Sequence, residues 1–211
     1  MTKAAANTCI FLDIGGVVLT DGWGRQARKL AAAHFDLTLA EIDARHHLIW
    51  DTYQAGNLTL DDYLDHVVFY ERRTFTKAQF RRFMFAQSHS FPEMLNLIAR
   101  LKARHRLKIV VVSNEGRELN SLRIRKFNLG TFVDSFISSC FVHVLKPDTE
   151  IFRLALDISQ SLPQEVVYID DTAMFVQIAE GLGIRGVHHT DYRTTVAKLA
   201  SFGLHDAEGV H

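Results

Sequence analysis

Short apolar runs rich in β-branched residues alternate with helical patterns over most of the chain. Cys9–Leu12, Lys108–Val112, Ser135–Ser138 and Val166–Ile169 read as strands, with Gly186–His188 as a fifth. Between them, Phe91–His105 carries apolar residues at Met94, Leu95, Ile98 and Leu101, which is helical spacing. Arg117–Phe127, Thr149–Ile158 and Ala173–Leu182 are similar. Strands alternating with helices predict right-handed βαβ units. The expected fold is α/β, a Rossmann-like parallel sheet core with helices on both faces.

The pattern changes between Arg25 and about His89. "RQARKLAAAHFDL", "LTLAEIDARHHLIWDTYQAG", "LTLDDYLDHVVFYERR" and "FTKAQFRRFMFAQS" all read as amphipathic helices. "NLT", ending at Thr59, and "TFT", ending at Thr76, are helix starts. These residues predict a small all-helical cap over 21–89, inserted after the first strand of a core made of 1–20 and 90–211. Such an insert hangs over the C-terminal edge of the sheet, where open α/β sheets bind ligands. There it would exclude water and select substrate. The tail "SFGLHDAEGVH" reads as frayed and uninformative.

Composition narrows the partners. A chain of 211 residues, 47% hydrophobic, suits one domain carrying a sizeable insert. Lys+Arg and Asp+Glu are both 24, so nothing electrostatic argues for nucleic acid or an anionic membrane as partner. Cys9 and Cys140 sit in apolar stretches and read as core residues rather than a disulfide, which fits a cytoplasmic location. "MTKAAANT" leads straight into a strand, too short for a signal-peptide apolar region. No run approaches the ~18 apolar residues of a membrane span. The expected assembly is a monomer or homodimer.

Chemistry gathers at four places. Asp13 follows the first strand, Ser113 and Asn114 end "IVVVSN", Lys146 lies in "HVLKPDTEIF", and Asp170–Asp171 end "EVVYIDD". In a parallel sheet the strand ends converge on one cleft, and the Lys146 loop is within reach of it. Taken singly, Asp13 could cap a turn, Ser113–Asn114 could start a helix, and Lys146 could be solvated. The acidic pair is harder to dismiss. Adjacent carboxylates at a buried strand end repel each other, and a cation is the simplest cure. Together the four supply a carboxylate nucleophile, a hydroxyl, a fixed cation and a hard-metal site.

In these residues the chain resembles the haloacid dehalogenase-like superfamily, whose members are mostly Mg2+-dependent phosphatases. The likeness runs from Ile10 to about Leu199. Asp13-Ile14-Gly15-Gly16-Val17 stands for the first motif, Ser113 for the second, Lys146-Pro147-Asp148 for the third and Asp170-Asp171 for the fourth. The segment "WDTYQAGNLTLDDYLDHV" is similar to the helical cap of the branch whose insert follows the first motif. The resemblance implies a small phosphorylated substrate, sugar phosphates among the candidates, and an aspartyl-phosphate formed on Asp13. It implies Mg2+ held by Asp13, the carbonyl of Gly15, Asp170 and Asp171. Ser113 and the backbone N–H of Asn114 would hold phosphoryl oxygens, helped by the N–H groups around Ile14 and Gly15. Lys146 would neutralise charge on Asp13 and on the transferring group.

Two positions depart from the pattern. Most phosphatases of the superfamily place their general acid/base where this chain has Gly15. Losing that help costs ~100–10,000-fold, about 3–5 kcal/mol of barrier. Three readings follow: a phosphatase of good leaving groups, a replacement donor such as Asp21, His46 or His47, or a non-catalytic protein that binds a phosphorylated ligand. Dehalogenation ranks low, because dehalogenases of the superfamily lack the metal acids and carry an aromatic residue at position 15. The other departure is Phe175, where a small polar residue is usual; it implies altered surroundings for the metal loop or packing against the cap. Trp23, His46, His47, Trp50 and Tyr53 are candidates for facing the substrate, with packing inside the cap as the alternative. His188 and His189 read as surface or edge residues, since Mg2+ prefers oxygen.

Overall fold

The computed structural model describes residues 7–206. Five strands, β1 (Cys9–Leu12), β2 (Lys108–Ser113), β3 (Ser135–Ser138), β4 (Val166–Asp170) and β5 (Arg185–His188), form one parallel sheet in the order β3-β2-β1-β4-β5. Ten helices accompany them among the described residues. Helices α1 (Arg25–Phe35), α2 (Leu39–Gln54), α3 (Leu60–Val67) and α4 (Lys77–Ala86) follow β1, and α5 (Pro92–His105) leads into β2. The rest are α6 (Arg117–Lys126), α7 (Ser139–Val142), α8 (Glu150–Ser159), α9 (Ala173–Gly181) and α10 (Tyr192–Ser201). The α/β parallel sheet expected from the alternation is the fold observed.

Alternation along the strands sorts the core into two layers. Ile10, Leu12, Ile109, Val111, Val167 and Ile169 pack against α5 and α10 on one face. Phe11, Val110, Val112 and Tyr168 pack against α8 and α9 on the other. Both faces are covered, so the strands are buried runs rather than half-polar ones. Chain order reverses on either side of β1. The gap between β1 and β4 is therefore a topological switch point, where such sheets open a crevice at their C-terminal edge.

Helices α1–α4 build a third cluster around Trp23, Tyr53, Tyr63, Leu64, Phe80 and Met84, and α6 contributes Leu119 and Leu122 to it. Both threonine starts form reciprocal caps. Asp62 N donates to Thr59 Oγ1 (3.1 Å) while Thr59 N donates to Asp62 Oδ2 (3.0 Å). Thr76 and Gln79 repeat the arrangement. Helix α3 is shorter than its apolar pattern, because Phe69 turns into the cluster and Arg73 Nε caps the Val68 carbonyl at 2.7 Å.

The tail corrects one expectation. Ser201 ends α10, Leu204 is buried against the sheet layer, and Asp206 forms a two-point ion pair with Arg100 at 2.7 and 2.8 Å. Leu204, directly after the Gly203 turn, docks the chain, so this segment is ordered through Asp206; the rest of the tail lies outside the described residues. Cys9 and Cys140 are free and buried. Among the described residues, no helix is long and apolar enough to cross a membrane.

Candidate active site

Strand register assembles the site. Leu12 lies level with Val111 on β2 and Ile169 on β4. The next residues along, Asp13 and Asp170, leave the sheet side by side, and Asp13 N still donates to Ile169 O at 2.9 Å. Ser113 ends β2 on the other flank of Asp13. After Asp13 the chain curls: Ile14 O accepts from Val18 N and Leu19 N, and Gly16 N donates to Leu19 O. Gly16 has φ +72°, and a Cβ there would collide with the Asp171 carboxylate. A glycine is thus what lets Asp171 approach the Asp13 loop.

Lys146 is buried, against the reading of it as a solvated side chain. Its Nζ donates to Asp13 Oδ1 (2.8 Å), Asp170 Oδ2 (2.6 Å) and Tyr168 Oη (3.1 Å). The loop is held by an amide clasp in which Lys146 N donates to Asn114 Oδ1 and Asn114 Nδ2 donates to Lys146 O, both at 2.9 Å. The sequence assigned Asn114 only its backbone N–H; its side chain is what fixes the lysine. Asp170 is fully buried and well supplied with donors. Its Oδ1 accepts from Thr172 N (2.7 Å), and its Oδ2 accepts from Tyr168 Oη as well as Lys146.

Charge at the site is not balanced by this one lysine. Burial raises the Asp13 carboxyl above the ordinary range, against the pull of Lys146 and with the charge of Asp170 adding to the rise. Asp171 is pushed up to about 6 by burial, then by Asp13, Asp170 and Asp21. Burial opposes the Lys146 ammonium, but Asp13 and Asp170 outweigh it and raise its pKa. One carboxylate oxygen from each of Asp13, Asp170 and Asp171 lies within 4.8 Å of the others. Three hard oxygen donors with surplus negative charge fit a divalent cation. Asp170 Oδ1 retains a lone-pair direction for it, since a carboxylate oxygen accepts two partners.

The cavity above these residues holds about 310 Å³ and is reached by Asp13, Gly15, Ser113, Asn114, Lys146 and Asp171. The Ile14 side chain is buried below in the sheet layer. Of the aromatic and histidine candidates, Trp23 and Trp50 line the cavity. Tyr53 is buried, stacked on Tyr63 and hydrogen-bonded to Glu118. His46 is buried with Nδ1 2.8 Å from Tyr63 Oη, which also accepts from Trp23 Nε1 at 2.8 Å. Burial lowers the His46 pKa to about 3, with Arg28 contributing. His47 is exposed on α2. His188 is exposed and reaches the Asp171 carbonyl (3.0 Å), and His189 bonds Thr195. Phe175 lines the cavity, with its ring centroid 5.0 Å from Lys146 Nζ, so it faces the lysine and packs with the α8–α9 layer.

Sequence reading missed Tyr168, Glu115, Arg123 and Arg28. Tyr168 carried a signal: it stands two residues before Asp170 in a strand and so shares its face. Glu115 and Arg123 form a buried ion pair beside the cavity, and Arg123 also donates to the Thr20 carbonyl. Burial, opposed by Arg123, pushes Glu115 up to about 7. Arg28, buried in α1, pairs with Asp43 at 2.6 Å and donates to Trp23 O.

Known proteins resemble this chain in part of their sequence or in fold. Bifunctional epoxide hydrolase 2 of Mus musculus is 31% identical over 108 residues, half of this chain but only 19% of that protein's length. The rat protein is 30% identical over 123 residues, 57% of this chain and 22% of the relative. A HAD family enzyme of Bacteroides thetaiotaomicron, solved with magnesium and inorganic phosphate, superposes with a TM-score of 0.71 at 19% identity, covering 86% of this chain and 93% of that one. A dehalogenase superposes at 0.66 with 18% identity, covering 89% and 86%. The haloacid dehalogenase-like hydrolase pattern itself matches residues 8–183, a span that contains Asp13, Ser113, Lys146, Asp170 and Asp171. The chain belongs to the haloacid dehalogenase-like hydrolase family.

Proposed function

We propose that this protein is a Mg2+-dependent phosphatase of a small phosphorylated metabolite, working through an aspartyl-phosphate on Asp13. The observation that carries the reading is the charge arrangement: three carboxylates gather around one buried ammonium at the floor of the cavity. Asp13, Asp170, Asp171 and the carbonyl of Gly15 would hold the ion. Once bound, it offsets the charge between an anionic nucleophile and an anionic phosphate.

In this reading Asp13 attacks phosphorus and the bond to the leaving oxygen breaks. Ser113, the Asn114 N–H and the N–H groups of Ile14 and Gly15 bind the phosphoryl oxygens. Lys146 holds the Asp13 carboxylate ionised and in place, and Tyr168 and the Asn114 clasp hold Lys146. Residues 21–89 act as a cap on a core of 1–20 and 90–211, with Trp23 and Trp50 walling off water. The acidic pair and the small residue at 15 argue against dehalogenation, although dehalogenases share the fold.

The test is a phosphate-ester panel with Mg2+, including p-nitrophenyl phosphate and a sugar 1-phosphate, against Asp13→Asn. Hydrolysis by the wild type that this variant loses is expected. No turnover above the variant, together with thermal stabilisation by phosphorylated metabolites, would make the protein a binder instead.

A further inference from the structure

We infer that Asp21 is the general acid/base of this site, standing in for the carboxylate absent at Gly15. The inference rests on the phosphatase reading above. It starts from the space beside Gly15. A Cβ at that position would meet no heavy atom closer than Asp21 Oδ1 at 3.6 Å and Asp21 Cα at 3.7 Å. A side chain on residue 15 would therefore grow toward the Asp21 carboxylate. The carboxylate missing from the first loop is supplied to the same space by a residue six positions later.

Three features hold Asp21 there. Thr20, its neighbour, is anchored through N to His89 O (2.9 Å), through Oγ1 to Gln87 O (2.9 Å) and through its carbonyl to Arg123. Trp23 N then closes a tight turn on Asp21 O at 2.7 Å. Gly24 clears the other side: a Cβ there would sit 2.8 Å from Asp21 Oδ2. Asp21 lines the cavity together with Asp13 and is itself exposed, so its carboxylate stands where the cavity meets solvent. No hydrogen bond engages its carboxylate among the described residues, whereas the rival cavity acid, Glu115, is locked to Arg123. His46 is tied to Tyr63 and does not reach the cavity.

The steps balance. As Asp13 Oδ bonds to phosphorus, the ester P–O bond breaks and its electron pair goes to the leaving oxygen, which takes the proton of Asp21. A water oxygen then attacks phosphorus, gives its proton to Asp21, and the P–Oδ pair returns to Asp13. Phosphate leaves and Asp21 is again protonated.

The experiment compares wild type, Asp21→Asn, Glu115→Gln and the double variant Asp21→Asn/Gly15→Asp, each with Mg2+. An alkyl phosphate and p-nitrophenyl phosphate serve as substrates, with acid quench and intact mass used to detect phosphorylated Asp13. Asp21→Asn should lose ~100-fold or more on the alkyl ester. With the nitrophenyl ester, whose leaving group needs no proton, it should release the first equivalent at the normal rate and then stall as the phosphoenzyme. The double variant should recover alkyl-ester turnover. Unchanged alkyl-ester activity in Asp21→Asn, equal loss on both esters without a phosphoenzyme, or the stalled pattern in Glu115→Gln alone would overturn the assignment. If the wild type hydrolyses neither ester, the phosphatase reading falls, and this assignment with it.

Discussion

Lys146→Met would test whether the site is held by charge. The substitution keeps most of the side-chain volume and removes the ammonium that touches Asp13, Asp170 and Tyr168. At an effective dielectric near 20, contacts of this length are each worth about 6 kcal/mol of attraction, most of it offset by dehydrating the three charges. The net pair is therefore modest, but removing one member of a buried set leaves the others uncompensated, which costs about 3–5 kcal/mol. Urea unfolding followed by far-UV circular dichroism should show that loss at neutral pH without metal. Two conditions should shrink it. Acid lets one buried carboxyl take a proton, and millimolar Mg2+ supplies another positive charge to the same oxygens. A loss below about 1 kcal/mol, or one indifferent to both pH and metal, would refute the electrostatic account.

Other consequences follow from the same geometry. Because the Asp171 carboxyl is raised to about 6, the folded metal-free protein keeps a proton that the unfolded chain has released. Stability should fall as pH rises from about 4 through about 6, and Mg2+ should restore it; thermal melting with and without Mg2+ across that range checks the sign. Since the His46 pKa is lowered to about 3, that ring stays neutral in the fold while the unfolded chain charges it. Its contribution therefore runs the opposite way, present above about 6.5 and lost as pH falls. NMR titration should find His46 without a transition near neutrality, and a midpoint near 6.5 would contradict its burial. Tyr168→Phe removes one donor from the fully buried Asp170 and should cost about 1.5–3 kcal/mol as a shift in urea midpoint at unchanged slope; a midpoint equal to wild type would mean the hydroxyl is idle.

What the sequence revealed depended on whether the signal was local. Strands announced themselves because each is a short buried run between helices of clear period, and the strand ends Asp13, Ser113 and Asp170 could be set in one cleft from parallel topology alone. Thr59 and Thr76 were legible because a capping box lies within four residues. The ion pair of Glu115 and Arg123 was not, since its partners sit eight residues apart across a loop and a helix turn and gain meaning only when Thr20 joins them. Helix patterning could not separate residues facing substrate from residues facing each other. His46 and Trp50 are four apart on one helix, yet one is bonded to Tyr63 and the other lines the cavity. The tail was misread because a single leucine after a glycine carries no periodicity, and the Arg100 partner of Asp206 is remote in sequence.

The contacts between the helical segment and the sheet domain bear on how substrate enters. Glu118 on α6 accepts from Tyr53 Oη (3.2 Å) and Leu60 N (3.0 Å), and Gln54 Nε2 donates to Asn114 O (3.0 Å). Ser139 Oγ donates to Gln54 O (2.8 Å), and His143 Nδ1 donates to Ala55 O (2.7 Å). Five such bonds contribute about 3–7 kcal/mol together, before the burial of Leu119 and Leu122 is added. At about 1.4 kcal/mol per factor of ten, a segment held this way stands open in fewer than about one molecule in a hundred. All five bonds lie on the β2–α6 and α7 side. The opposite side, where Asp21 and Gly24 line the cavity, is held by a second set: Thr20 N donates to His89 O (2.9 Å), Thr20 Oγ1 to Gln87 O (2.9 Å) and Lys126 Nζ to Ser88 O (2.8 Å). Both flanks of the helical segment are therefore tied down, and opening on either side has to break bonds of this kind.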